Sequence, residues 1–256
     1  MKNSQREFWN KVLDTQNLKE QSGLSSLELD SEINFYMTPE QIFAYKEMGD
    51  LNGKRVLEIG AGIGINAIIM ARSGAEVFVM DIAEERLKVL KKIVSDHSLD
   101  DKIHVIQMQA ENLAFPDEYF DVVYTKSVLI HTDLKIASHE IKRVLKDDGI
   151  GVFIEPFADN PFVNFYRKTF APKYWQEITK YFNEERVLIL TSPFSNIEIR
   201  KFYLISFFAF IWQFGIRNNF LFNIFLRILQ PIDQCFFKNF PKLRKYAWFG
   251  VICLRK

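Results

Sequence analysis

The segment 56–64 constrains the fold of this chain more than any other part of the sequence. It reads Val-Leu-Glu-Ile-Gly-Ala-Gly-Ile-Gly, so a short apolar run leads into three glycines at alternate positions. An apolar pattern with helical spacing follows, and Asp81 closes the next apolar run. This order is typical of the first strand of a parallel sheet, whose end presents a glycine loop to an adenosine-bearing cofactor.

The spacing of the glycines separates two classes of cofactor. In the dinucleotide motif G-x-G-x-x-G, the third glycine lets a helix N-terminus approach a pyrophosphate. Here that position is Ile65, and the spacing is G-x-G-x-G. Glu58 precedes the loop, where its carboxylate would repel a phosphate and attract an ammonium group. These features favour S-adenosylmethionine over a nicotinamide cofactor, while a glycine turn with a purely structural role is the alternative.

Strands and helices alternate through the first 155 residues. Periodicity and turn signals predict strands at 54–59, 75–80, 103–108, 120–124 and 150–154, and helices at 39–49, 63–73, 83–97 and 134–145. The first of these helices begins with a predicted capping box, Thr38-Pro39-Glu40-Gln41. Such alternation implies right-handed βαβ units and a doubly wound sheet, which binds ligands at the carboxyl ends of its strands.

Four segments within 55–155 resemble class I S-adenosylmethionine-dependent methyltransferases of the small-molecule methyltransferase-domain type. They read VLEIGAGIG, VFVMDIAEERL, QAENLAFPDEYFDVVYTKSVLIHT and EIKRVLKDDGIGVFIEP. The resemblance implies a Rossmann-like sheet of about seven strands with the last strand antiparallel. The last two strands are predicted at 196–205 and 246–254, and a helical, aromatic-rich insertion of about forty residues separates them.

The resemblance also implies S-adenosylmethionine as cofactor and three groups of residues that bind it. The loop group holds the methionine end, the second group holds the ribose and the adenine, and the third borders the methyl and sulfur atoms. In that order they are Glu58, Gly60, Ala61, Gly62 and Gly64; Asp81, Ile82, Ala110 and Glu111; and Thr125 and Lys126. Gln109 departs from the acidic residue that the family commonly has before Ala-Glu, which affects the adenine side.

Several of these residues have simpler interpretations. Asp81 could act only as a carboxylate at a helix N-terminus, and Glu111 could be a solvated loop residue. His131 is the candidate catalytic base for an acceptor hydroxyl, although it could equally cap or pack. We expect Lys126 to extend outward to solvent rather than to bind an anionic acceptor. No metal site is predicted.

Composition narrows the class of partner. The formal net charge of +1 gives no reason to expect nucleic acid. Two widely spaced cysteines indicate a reducing compartment, and the first residues lack an apolar signal core, so we expect a cytoplasmic protein. The predicted organisation is an N-terminal helical cover at 1–53, a core at 54–205 and 246–256, and the insertion at 206–245. Within the cover, 3–36 should close the cofactor site, anchored by Phe8 and Trp9.

The insertion leaves two interpretations open. It is rich in phenylalanine and basic residues, its only acid is Asp233, and Pro231 is expected to break its helix. Its apolar run is too short to span a bilayer. It either lies at the inner membrane face or forms a lid or dimer interface.

Three hypotheses follow for the whole chain. The main hypothesis is methyl transfer to a small hydrophobic or lipid-linked acceptor. The second is a soluble small-molecule methyltransferase, and the third is a non-catalytic protein that binds S-adenosylmethionine. The sequence determines neither the acceptor, nor the atom that is methylated, nor the oligomeric state.

Overall fold

The computed structural model describes residues 5–10, 30, 37–62, 64–171, 175, 178–216 and 218–256. Its strands are β1 Arg55–Ile59, β2 Glu76–Asp81, β3 Ile103–Gln107, β4 Phe120–Lys126, β5 Leu145–Pro156, β6 Asn196–Phe202 and β7 Phe249–Arg255. They form a seven-stranded sheet in the order β3-β2-β1-β4-β5-β7-β6. β7 is antiparallel to both of its neighbours, while β1 to β5 are parallel. The predicted Rossmann-like fold class is confirmed.

Helices cover both faces of this sheet. They are α1 Pro39–Met48, α2 Ile65–Arg72, α3 Glu84–Asp96, α4 Leu134–Val144, α5 Pro161–Phe170, α6 Glu184–Thr191 and α7 Asn219–Asn239. Residues 5–10 are helical as well. Side chains on successive strand residues point to opposite faces, so Val56 packs in the core under α1 to α3 and Leu57 packs in the core under α4 and α6.

The predicted capping box at the start of α1 is not formed. The Thr38 hydroxyl donates to the Glu40 carboxylate at 2.5 Å, and no side chain caps this helix. Glu40 is buried and also accepts the hydroxyl of Tyr203, a residue of the chain that follows β6. A buried carboxylate needs partners of this kind, and they take precedence over the local cap.

Two features of the second half were not predicted. β5 begins at Leu145 and not at Ile150, and its pairing with β4 shifts between Phe120 and Val122. α6 has only two buried residues, Leu190 and Thr191, so its apolar periodicity is weak. Its start is nonetheless well defined, because the Asn183 side chain accepts the backbone N–H of Arg186.

The expected break of the insertion helix at Pro231 is wrong, because α7 continues to Asn239. Proline removes one backbone hydrogen bond. Tertiary contacts fix the second half of the helix: buried Asp233 accepts the backbone N–H groups of Leu204 and Ile205, both at 2.9 Å, and Phe237 is buried. Within the described ranges, no helix combines the length and apolar character that crossing a membrane requires.

The insertion emerges at the edge of the sheet where the parallel strands end. Phe202, the last residue of β6, pairs with Phe249, and Phe249 pairs with Pro156 at the end of β5. The chain between β6 and β7 therefore begins and ends beside the carboxyl ends of the parallel strands. Most of the predicted N-terminal cover, at 1–4, 11–29 and 31–36, lies outside the described residues, as do Ile63 and Arg217.

Candidate cofactor and active site

A cavity of about 450 Å³ lies at the carboxyl ends of the parallel strands. It lies beside the point between β1 and β4 where the strand order reverses, which is where doubly wound sheets bind their ligands. The structure brings eight of the predicted site residues to its wall: Gly60, Gly62, Asp81, Ile82, Ala110, Glu111, Lys126 and His131. It does not bring Glu58, Ala61, Gly64 or Thr125 there.

Asp81, at the end of β2, is tied to the glycine loop. One carboxylate oxygen accepts the backbone N–H of Ala61 at 3.1 Å, and the other accepts that of Ala83 at 2.9 Å. Burial raises the pKa of Asp81, and the Ala83 amide and the charge of Arg86 oppose that rise. Each carboxylate oxygen has two lone pairs, so this geometry leaves capacity for two further hydroxyl donors.

The glycines of the loop have different structural roles. Gly60 lines the cavity with φ +88°, and an added Cβ would overlap the side chain of Val128. Gly64 has φ +80°, and a Cβ there would overlap Leu90 of α3. Gly62 has φ +52°, and a Cβ there would meet no described atom within 4 Å. Gly64 therefore permits helix packing, whereas Gly60 and Gly62 shape the cavity wall.

Glu58 lies behind the loop in the core. Burial raises the pKa of its carboxyl to about 8, although hydrogen bonds from Asn66 and the Ala67 amide favour the charged form. Its Oε2 atom is buried without a hydrogen-bond partner among the described residues, which do not include the nearby Ile63. The carboxyl therefore keeps its proton at neutral pH until a cation approaches.

Thr125 supports the loop that follows β4. Its hydroxyl donates to Glu155 at 3.1 Å, and the same carboxylate oxygen accepts the backbone N–H groups of Val128 and Leu129. Burial raises the pKa of Glu155 to about 7, and these donors oppose the rise. Glu155 thus positions the segment that leads to His131. Sequence analysis predicted a strand at 150–154 but gave the next residue, Glu155, no role.

Lys126 does not extend outward, contrary to our expectation. Its Nζ donates to Oε1 of Gln41 at 3.0 Å and lies 3.5 Å from Oε1 of Glu40. Gln41 also exchanges hydrogen bonds with the hydroxyl of Tyr124. Because Glu40 is buried, its charge needs a nearby cation, and this holds the lysine against α1 at the cavity wall.

His131 faces the cavity as a neutral imidazole. Burial lowers its pKa to about 4, and the charge of Arg186 lowers it further, while the backbone of Ile178 opposes both. Its Nδ1 is buried and unpaired within the part of the chain that the structure describes. The ring can accept a hydrogen bond at pH 7, but it is a weaker base than an exposed histidine.

The N-terminal helical segment 5–10 closes one side of the cavity. Gln5 donates to the backbone oxygen of His131 at 3.1 Å, and the rings of Trp9 and His131 meet edge-on at 5.4 Å. The guanidinium of Arg86 lies 4.6 Å from the centre of the Trp9 ring. Trp9 was predicted as an anchor, but no sequence signal pointed to Gln5 or Arg86.

One part of the cavity wall carries apolar side chains. Ile82, Met108 and Ala110 line it, and the Glu111 carboxylate accepts the backbone N–H of Asp133 at 2.9 Å. Glu111 therefore orders the start of α4 as well as lining the wall. Among the described residues, no group of three histidine, cysteine or acidic side chains is placed to hold a metal ion.

Together these features fit an adenosine with a charged amino-acid tail. Asp81 offers acceptors for two hydroxyls, and the apolar residues beside it match the face of a base. Gly60 and Gly62 leave the backbone accessible, and Glu58 provides a buried carboxyl behind them. No group in the loop is arranged for a pyrophosphate, because Ile65 opens α2 where the dinucleotide motif has its third glycine.

Comparison with known proteins agrees with this geometry. Residues 57–153 match the family model described as a methyltransferase domain. An uncharacterized methyltransferase, YcgJ of Bacillus subtilis (strain 168), is 30% identical over 129 residues, covering 48% of this chain and 51% of that protein. The ubiquinone/menaquinone biosynthesis C-methyltransferase UbiE of Vibrio campbellii is 35% identical over 114 residues, covering 42% and 44%. The chain thus spans about half the length of these relatives.

Solved structures share the fold over most of the chain. A geranyl diphosphate C-methyltransferase from Streptomyces coelicolor A3(2), in complex with S-adenosyl-L-homocysteine, matches with a TM-score of 0.62 at 12% identity, covering 91% of this chain and 86% of that one. YcgJ matches with a TM-score of 0.56 at 17% identity, covering 85% and 97%. Residues 57–153 thus form a methyltransferase domain, and the chain has the fold of the class I S-adenosylmethionine-dependent methyltransferases.

Proposed function

We propose that this protein transfers the methyl group of S-adenosylmethionine to a small, apolar or lipid-linked acceptor. The observation that carries the proposal is the position of Asp81 at the cavity edge, where it is fixed by the amide of the glycine loop and keeps free acceptor capacity. S-adenosylmethionine supplies an activated methyl group when it is bound. The protein must therefore mainly bind, align and exclude water.

The described residues divide this work. Asp81 would accept the two ribose hydroxyls, and Ile82, Met108 and Ala110 would pack around the adenine. The backbone at Gly60 and Gly62 would approach the methionine end of the cofactor. The carboxylate of Glu58 would pair with its ammonium group. The end of β4, at Lys126, would border the reacting methyl group.

The acceptor would enter from the side of His131. This part of the wall combines the apolar side chains of Val128 and Trp9 with the polar residues Gln5, Ser127 and Thr132. The imidazole of His131 is unprotonated at pH 7 and would accept a hydrogen bond from an acceptor hydroxyl. Its low pKa makes it weak as a general base, so an acceptor that needs little proton removal fits best.

The relatives do not name the acceptor. They include UbiE, a sarcosine/dimethylglycine N-methyltransferase of Aphanothece halophytica and a ubiquinone biosynthesis O-methyltransferase of Alkalilimnicola ehrlichii, so carbon, nitrogen and oxygen acceptors all occur among them. The proposal for an apolar acceptor rests instead on the exposed apolar side chains of the insertion.

The test is transfer of labelled methyl groups into a lipid and metabolite extract, analysed by mass spectrometry. The proposal expects label in the organic-soluble fraction. Label only in water-soluble metabolites would instead support a soluble enzyme with the insertion as a lid or dimer interface. Another candidate function is the binding of S-adenosylmethionine without methyl transfer. The weak basicity of His131 favours it, because the imidazole would remove a proton from an acceptor only poorly. S-adenosylmethionine binding with no labelled product in any fraction would support it.

A further inference from the structure

Helix α7 is apolar on two sides. The side toward the sheet buries Phe222, Leu226 and Phe237. A second row, spaced four residues apart along the helix, is exposed: Phe220, Ile224, Ile228 and Ile232, which we call the outer row. Phe220 is 72% exposed and Ile228 is 58% exposed. A helix that served only as a lid on the core would need the first side alone.

The insertion that carries the outer row is rich in basic side chains. Asp233 is the only acidic residue in 206–245, and it is buried with its carboxylate bonded to backbone amides of 204–206. The exposed basic residues of the described part of this segment are Arg227, Lys238, Lys242, Arg244 and Lys245. The insertion thus presents apolar and cationic side chains to solvent with no exposed acid of its own.

The position of this surface relates it to the cavity. The insertion leaves the sheet after Phe202 and returns at Phe249, at the edge where Pro156 ends β5. The cavity opens at that same edge, beside Asp81 and Lys126. Both ends of the insertion therefore lie at the end of the sheet where the cavity opens.

We propose that the outer row and the exposed basic residues of the insertion dock on an anionic lipid bilayer. Apolar side chains of an interfacial helix enter the boundary between headgroups and acyl chains, and basic side chains pair with anionic headgroups. A second copy of this chain would bring an equally positive surface to the contact, so charge disfavours it as the occupant. The docking proposal does not depend on catalysis. Only the idea that docking brings the acceptor to the cavity rests on the proposed function.

Vesicle flotation tests the docking without cofactor or acceptor. The full chain is floated with phosphatidylcholine vesicles and with vesicles that also contain phosphatidylglycerol. We expect recovery with the anionic vesicles, at least about tenfold weaker partitioning to phosphatidylcholine alone, and weaker binding at high salt. Recovery of the wild-type protein only in the unbound fraction, with anionic vesicles present, would overturn the proposal.

Two variants test the surface itself. Phe220→Ser with Ile228→Ser should reduce partitioning by about tenfold or more, since each side chain loses its apolar contribution. Lys242→Glu with Lys245→Glu should abolish the preference for anionic vesicles. The matched controls are Leu188→Ser on α6, which is 69% exposed, and Lys91→Glu on α3, which is also exposed. Both controls should float like the wild type.

Two further readouts keep the interpretation unambiguous. All variants should bind S-adenosylmethionine as the wild type does, so loss of flotation with retained binding separates docking from the proposed function. Analytical ultracentrifugation shows whether the outer row joins two copies. A wild-type dimer that Phe220→Ser with Ile228→Ser makes monomeric, without vesicle binding by either protein, would assign the surface to self-association and contradict membrane docking.

Discussion

The carboxylate of Asp81 accepts the backbone N–H of Ala61 at 3.1 Å. This bond joins the end of β2 to the loop that follows β1, and the Gly60 amide donates to the carbonyl of Met80 at 2.7 Å beside it. Asp81, which is expected to bind the ribose, therefore also fixes the glycine loop, which is expected to hold the methionine end of the cofactor. A change at either position should affect both.

The glycines provide a test of which loop positions serve folding. Gly64→Ala should lower the free energy of unfolding by about 1–3 kcal/mol. The new Cβ would overlap Leu90, and the alanine would have to adopt a left-handed backbone conformation. Gly62→Ala shares the left-handed backbone, but its Cβ meets no described atom within 4 Å, so it should destabilise less and should weaken cofactor binding. Urea unfolding and calorimetric titration separate the two effects. Equal stability of the two variants would refute this division of roles.

Trp9 should slow the release of the cofactor. Its ring packs against Arg86 and His131 at the cavity, and a cation–π contact contributes about 0.5–2 kcal/mol. Trp9→Ala should therefore raise the Kd for S-adenosylmethionine by about tenfold. The matched control is Phe170→Ala, an exposed aromatic residue on α5 that does not line the cavity. Stopped-flow dissociation rates that are identical in Trp9→Ala and wild type would exclude a covering role.

His131 should make stability fall in acid. Its pKa is about 4 in the folded chain against 6.5 unfolded, so the unfolded state binds more protons between these values. The contribution of His131 to the free energy of unfolding is therefore complete above pH 6.5. About 3 kcal/mol of it is lost as pH falls toward 4. His131→Gln should remove this component from urea unfolding curves at pH 4.5 and 7. An unchanged pH dependence in His131→Gln would contradict the burial argument.

Glu58 should release a proton when a cationic cofactor binds. Its pKa of about 8 keeps the carboxyl protonated at pH 7, and an ammonium nearby would lower that pKa. Binding should then tighten as pH rises from 6 to 8. Titration calorimetry in buffers of different ionisation enthalpy measures the proton directly, and Glu58→Gln should show no release. If binding to the wild type exchanges no proton at pH 7, Glu58 does not pair with the ammonium group of the cofactor.

Local sequence patterns were sufficient to predict β1 to β4. Apolar runs that end in Gly60, Asp81 and Lys126 define strands whose boundaries depend on nearby residues only. α6 and the second half of α7 escaped prediction for opposite reasons. α6 has too few buried residues to show a period, while α7 passes Pro231 because Asp233 bonds to chain about thirty residues away.

The candidate site divides in the same way. Its cofactor side follows from the glycine loop and from Asp81, which lie close to strand ends along the chain. Its acceptor side depends on long-range contacts, such as Gln41 with Lys126 and Gln5 with His131. These pairs are separated by 85 and 126 residues, so no local pattern announces them. The outward direction expected for Lys126 failed for this reason.

Calorimetric titration of the wild-type chain and Asp81→Asn with S-adenosylmethionine and with NADH tests the central claim most directly. We predict that the wild type binds S-adenosylmethionine and not NADH, and that Asp81→Asn binds about 10- to 100-fold more weakly, because hydrogen bonds from two hydroxyls to a carboxylate are lost. Asp121→Asn, which changes a carboxylate that accepts the Arg55 amide at the other end of the sheet, should bind like the wild type. Tight NADH binding without S-adenosylmethionine binding would contradict the assignment of the cavity.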